Sequence, residues 1–102
     1  MAGHPKFGCP MADVLEEDRM WYVYILRSRL HGRLYVGSTN DLKRRLKEHS
    51  DGRCVATMHR RPLELEAYIA LRSQRTARRL EAYFKTGSGI ATLRKRILTS
   101  EA

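Results

Sequence analysis

The sequence predicts a small α+β domain, a three-stranded antiparallel sheet flanked by helices. Three observations carry this. Residues 21 to 26 are almost all aromatic or β-branched, a composition that suits a strand covered on both faces. Two further apolar runs, residues 34 to 36 and 63 to 71, have strand length and lie between turn-forming residues. Three later stretches instead repeat their apolar residues at spacings of three or four, the period of a helix with one buried face. A chain of 102 residues can bury one ordinary core but not two, so a single domain is expected.

Residues 1 to 19 hold Gly3, Pro5, Gly8 and Pro10 and the acidic residues Asp13, Glu16, Glu17 and Asp18, with little periodicity. They read as a flexible extension ahead of a domain spanning residues 20 to 102. Trp21 to Leu26 reads as the central strand. His31-Gly32 interrupts the pattern and Leu34-Tyr35-Val36 resumes it, so the two runs form a hairpin closed by a short glycine-containing loop. Gly37 is expected to end the second strand. Ser38, Thr39 and Asn40 are helix-capping types, Asp41 places a negative charge in the first turn, and Leu42 and Leu46 give an apolar stripe. A helix from Asp41 to His49 follows.

On that helix Arg45 and His49 are four apart and share a face, beside the leucine stripe. Tyr22 and Tyr24 face one side of the first strand, and Tyr35 comes from its neighbour near the exit into the helix. Phenols, a guanidinium and an imidazole thus converge at one end of the hairpin.

Ser50-Asp51-Gly52 ends the helix, and residues 53 to 61 form a basic loop or short helical turn with Arg53, His59, Arg60 and Arg61, closed by Pro62. The third strand, Leu63 to Leu71, is expected antiparallel to the first, with Leu65, Ala67, Ile69 and Leu71 on one face. Ser73 caps a helix running to Thr86 whose buried stripe is Ala77, Leu80, Glu81 and Phe84. A carboxylate in such a stripe is paired, coordinated to a metal, or at the stripe's edge, since an isolated buried charge costs several kcal/mol. Arg78, Arg79 and Lys85 make a salt bridge the plain alternative to a metal. Gly87-Ser88-Gly89 reads as a helix stop and a new start. Ile90, Leu93 and Ile97 then form a last amphipathic helix with Arg94, Lys95 and Arg96 outside.

The charge narrows the partner. Twenty Lys and Arg oppose 11 Asp and Glu, a net +9. The first 20 residues hold only Lys6 and Arg19 among the cations but four of the acids, so the domain itself is more basic still. That points to a polyanion. No run approaches the roughly 18 apolar residues needed to cross a bilayer, no helix pairs an aromatic face with a lysine-rich one, and the N-terminus lacks a basic-then-apolar signal pattern. A cytoplasmic protein with no membrane partner is expected. Cys9 and Cys54 have no CxxC or Cys/His ligand spacing and read as reduced thiols.

Tyr22-Val23-Tyr24, then Tyr35-Val36-Gly37, then the stretch STNDLKRRLKEH with its Arg45 and His49, and later Glu81 occur in order. Together they resemble the GIY-YIG nuclease superfamily, and Gly87-Ser88-Gly89 is similar to its small single-domain branch, related to structure-specific endonuclease subunits. The resemblance covers residues 20 to 98. It implies a divalent-metal-dependent endonuclease hydrolysing DNA phosphodiester bonds, directed by branched or flapped structure because no second domain reads sequence. It implies that Glu81 binds Mg²⁺ or Mn²⁺, Arg45 clamps the phosphate, Tyr24 and Tyr35 orient or deprotonate the attacking water, and His49 positions or relays a proton. The basic residues assigned to phosphate contacts are Arg27, Lys43, Arg44, Arg60, Arg61, Lys85, Arg94 and Lys95. Tyr22, Tyr68 and Tyr83 are read as packing aromatics. Two departures stand out: Tyr22 replaces the family's first glycine, and no asparagine follows Asn40. The alternative is a non-catalytic nucleic-acid-binding module with the same fold, and a third reading is a subunit that cuts only with a protein partner.

Overall fold

The computed structural model describes residues 20–98; the expectations for residues 1 to 19, Cys9 included, lie outside them. Strand β1 (Trp21–Ser28) and strand β2 (Leu34–Thr39) are followed by helix α1 (Leu42–Ser50), a 3₁₀ turn (Met58–Arg60) and strand β3 (Leu63–Leu71). Helix α2 (Gln74–Phe84) and helix α3 (Gly87–Thr92) come next, and α3 widens into a π turn (Leu93–Ile97). The sheet has the order β2-β1-β3 and both pairings are antiparallel. As its composition requires, β1 is central and buried on both faces, with Val23 and Ile25 on one and Tyr24 and Leu26 on the other.

The first face carries the main core. Val23, Ile25 and Val36 pack with Ala77 and Phe84 of α2 and with Leu93 and Leu98, and Trp21, Leu34, Ala67, Ile69, Leu71, Leu80 and Ile97 surround them. Gly32 closes the hairpin at φ +75°, a conformation that glycine adopts without strain.

Four expectations need correction. Strand β2 does not stop at Gly37 but pairs on to Thr39, in register with Tyr22, because a glycine costs no ladder hydrogen bond. Asp41 is not in the first turn of α1; it is the N-cap, and its carboxylate accepts the Arg44 N–H at 3.1 Å. A bulge between Ile25 and Leu26 shifts the β3 register, so that Ile25 faces Ala67 while Leu26 faces Leu65. Residues directly opposite one another share a face, so Leu65 leaves the face of Ala67 and Ile69 and stands 41% exposed. Finally, Gly87-Ser88-Gly89 is not the break. Helix α2 ends at Phe84, and Thr86 caps α3, accepting the Gly89 N–H at 3.0 Å.

Gly89 is needed for a separate reason, since a Cβ there would collide with the carbonyl of Tyr83. Beyond it the π turn, closed by the Leu98 N–H on the Leu93 carbonyl at 2.7 Å, brings two leucines five apart into the core. Ile90 is displaced outward to 38% exposure. Ser73 caps α2 as expected, accepting the Thr76 N–H at 3.1 Å.

Candidate active site

The second face of the sheet carries the tyrosines. Tyr24 lies opposite Gly37 and Leu26 opposite Tyr35, so the Tyr24 and Tyr35 rings are diagonal neighbours on one face, 6.4 Å apart. Helix α1 lays His49 against both, with centroids 5.5 Å from Tyr24 and 5.3 Å from Tyr35. The convergence that the sequence predicts is therefore present for Tyr24, Tyr35 and His49. Gly37 makes room for it. A Cβ at that position would approach Tyr24 Cζ to 2.6 Å and the hydroxyl more closely still.

Gly37→Ala is accordingly expected to displace the Tyr24 ring from His49 and to destabilise the fold by about 1–3 kcal/mol, the usual cost of overpacking. A denaturant titration checks it, and an unchanged midpoint would show that the ring has slack.

A chain of hydrogen bonds runs inward from Tyr24. Its hydroxyl lies 2.9 Å from His49 Nε2, and His49 Nδ1 lies 2.7 Å from Thr57 Oγ1. Tyr24, His49 and Thr57 are all buried. Burial pushes Tyr24 up to about 12, and the Arg45 guanidinium beside its hydroxyl pulls the other way. Burial also raises Tyr35, with Lys85 and Arg45 opposing. Burial first, and then the nearby Arg45, hold His49 below the usual histidine range, so its imidazole is neutral at pH 7.

Arg45 is half-buried on the same helix face. It donates to Glu48 Oε1 at 2.9 Å and to Cys54 Sγ at 3.6 Å. The bond to Glu48 and the contact with Tyr24 hold it more firmly protonated than an ordinary arginine. Among the described residues its remaining donors have no carboxylate partner, the state in which a guanidinium can take a phosphate.

Glu81 approaches from the other side. Ser38 lies opposite Val23, on the α2 face, and donates its hydroxyl to Glu81 Oε1 at 2.6 Å, while Lys85 Nζ sits 2.9 Å from Oε2. Burial works against this carboxylate, but the Ser38 and Lys85 bonds outweigh it and hold it below the usual range. The salt-bridge partner is thus Lys85. Ser38 and Tyr35 both belong to β2, the edge strand of the sheet, so the Ser38 bond holds Glu81 at the edge of the sheet that carries the tyrosines. Among the described residues no three His, Cys, Asp or Glu side chains cluster as metal ligands. A single carboxylate with 22% of its side chain exposed and a hydroxyl beside it fits a hard cation that keeps most of its waters, and would not fit a zinc site.

The basic residues divide. Arg27 bonds Glu66 at 3.2 Å, Arg61 bonds the carbonyls of Met58 and Ser50, and Lys85 holds Glu81. Arg60 is half-buried, with its carbonyl accepting from the Ser28 hydroxyl. Lys43, Arg44, Arg94 and Lys95 are exposed, though Arg44 is loosely held between Asp41 and Glu48. Tyr22 packs edge-on against Tyr68 and the Tyr83 hydroxyl meets Thr92. Sequence reasoning missed three residues: Ser38, read only as a cap type, and Cys54 and Thr57, which sit in a loop with no motif.

Residues 20–94 match the family model of the GIY-YIG catalytic domain, and the chain belongs to this nuclease family. Among its relatives is a UPF0213 protein of Bacillus licheniformis, 39% identical over 70 residues that span 68% of this chain and 71% of the relative. A UPF0213 protein of Bacillus pumilus is 41% identical over 69% of this chain and 71% of its own length. One from Vibrio campbellii is 31% identical over 90% of this chain and 84% of its own. These names state no activity. No solved structure matches the chain. Among the described residues no helix is long and apolar enough to cross a membrane.

Proposed function

We propose that this protein is a divalent-metal-dependent endonuclease that hydrolyses DNA phosphodiester bonds, selecting branched or flapped structure over sequence. The observation that carries the reading is the convergence of Tyr24, Tyr35, His49 and Arg45 on one sheet face with Glu81 at its edge. A module that only bound DNA would need positive charge, not this set.

Phosphodiester hydrolysis needs a water made more basic, charge relief on the phosphoryl oxygens and a stabilised leaving oxygen. Arg45 clamps the scissile phosphate through the donors that Glu48 leaves free. Tyr24 takes the proton of the attacking water as a phenolate, having first released its own proton to solvent; its oxygen lies between His49 and Arg45, the groups available to steady that phenolate. Tyr35, half-buried on the edge strand whose Ser38 holds Glu81, orients that water. Glu81, with Ser38 beside it, would hold Mg²⁺ or Mn²⁺, which supplies Lewis-acid stabilisation of the phosphate when bound. Lys43, Arg44, Arg94 and Lys95 meet the flanking phosphates.

Binding is then mostly electrostatic. Affinity is expected to fall steeply as salt rises, linear on a log-log plot with a slope set by the phosphates neutralised; a titration from low to high salt that leaves affinity flat would refute this. The deciding experiment incubates the pure protein with linear, flapped and branched DNAs, with and without Mg²⁺ or Mn²⁺. Metal-dependent cuts near the junctions support the reading. Salt-sensitive binding without cuts would favour the non-catalytic module, and cuts that appear only on adding a protein partner would favour a subunit.

A further inference from the structure

We infer that Thr57 is a positioning residue that holds His49 in its Nε2–H form, so that His49 donates a hydrogen bond to the Tyr24 oxygen instead of accepting one. The inference rests on the nuclease reading above and adds to it a residue and a direction.

The Thr57 side chain is completely enclosed, and among the described residues its hydroxyl has one hydrogen-bond partner, His49 Nδ1 at 2.7 Å. Its position is set by the backbone. Thr57 and Met58 donate their N–H groups to the Cys54 carbonyl at 3.1 and 2.9 Å, and Arg60 donates to the Thr57 carbonyl at 2.9 Å. The same turn presents Cys54 to Arg45. This short segment therefore supports both functional side chains of α1.

The direction follows from counting hydrogens. Tyr24, a neutral His49 and Thr57 carry three polar hydrogens and share two hydrogen bonds, so one hydroxyl hydrogen is left at an end of the chain. If Tyr24 donated to Nε2 and Nδ1 donated to Thr57, the spare hydrogen would sit on Thr57, which is fully enclosed and whose hydroxyl has no other hydrogen-bond partner among the described residues. A buried donor without an acceptor costs about 1–3 kcal/mol. In the other direction Thr57 donates to Nδ1, Nε2–H donates to Tyr24, and the spare hydrogen belongs to Tyr24. That end is buried as well, but it adjoins the half-buried Tyr35 and Arg45, so an incoming water or phosphate oxygen can accept the hydrogen there. The Tyr24 oxygen then faces two donor groups, His49 Nε2–H and Arg45, as a phenolate in the making requires. His49 is fixed as a donor and is not the proton's destination.

The test uses the full chain, ¹⁵N-labelled, with long-range ¹H–¹⁵N spectra at neutral pH and His49→Gln to identify the His49 signals. The expected result is a hydrogen on Nε2 and an acceptor-type Nδ1 in the unmodified protein and in Thr57→Ser, with that preference lost in the isosteric Thr57→Val. On a DNA that the protein cuts, Thr57→Val lowers kcat by about 10-fold or more with KM unchanged, the scale of losing a histidine's supporting partner, and Thr57→Ser restores it. His49 found protonated on Nδ1, or Thr57→Val with full kcat, would overturn the inference. If the parent cuts no DNA, the nuclease reading fails while the spectra still decide the tautomer. If Thr57→Val does not fold, the unmodified protein and Thr57→Ser decide it.

Discussion

Glu81→Ala is expected to abolish metal-dependent cleavage while leaving DNA binding nearly intact. The two halves of that result have separate causes. Cleavage is lost because, among the described residues, no cluster of three His, Cys, Asp or Glu side chains exists to hold the cation in its place. Binding persists because an anion leaves a chain of net charge +9, and because Lys85 loses its carboxylate partner, 2.9 Å away, and becomes available to phosphate. The fold should survive as well. The Glu81–Lys85 pair is partly exposed and such pairs are worth about 0–1 kcal/mol, so a thermal melt should move little. Cleavage of a flapped DNA and Mn²⁺ binding measured on the DNA-free protein should fail together. If the unmodified protein cuts and Glu81→Ala cuts equally fast in Mg²⁺, the carboxylate is only a salt-bridge partner of Lys85.

Arg45→Ala is expected to lower the cleavage rate by about 100-fold or more, the scale of losing one charge-stabilising donor. Three contributions go at once. The phosphate loses its planar fork, Tyr24 loses the cation that opposes the effect of burial on its hydroxyl, and Glu48 keeps a carboxylate without its 2.9 Å partner. Arg45→Lys should recover only part of the rate, since an ammonium keeps the charge but cannot reach Glu48, the tyrosine and a phosphate from one plane. Single-turnover cleavage beside a binding assay tests this, and a lysine variant as fast as the parent would rule out the fork. In the same assay Tyr24→Phe should lose more than Tyr35→Phe, because only Tyr24 lies within hydrogen-bond reach of His49 Nε2; the reverse order would exchange their roles.

Much of this is legible in the sequence. The aromatic and β-branched run at Trp21 to Leu26 marks a strand buried on both faces because burial selects those side chains directly. The four-residue spacing of Arg45 and His49 places them on one helix face because helix geometry is local. Ala77, Leu80 and Phe84 mark the buried side of α2 for the same reason, and Glu81 stands out as the charge among them. The bulge at Ile25/Leu26 left no such trace, since the alternation of β3 looks regular until its pairing with β1 is known. The π turn that brings Leu98 inward and turns Ile90 out follows from how the last helix closes on the sheet, not from its own spacing.

Composition and periodicity act over a few neighbours, so the strands and helices, the basic character of the domain and the residues able to do chemistry are readable along the chain. The tertiary structure alone decided their partners: Tyr24 with His49, 25 residues apart, Ser38 with Glu81, 43 apart, and Thr57 beneath the imidazole. These contacts depend on strand register and on the path of the loop after α1. Pairing of distant segments is set by how the whole core closes, so no local pattern encodes it.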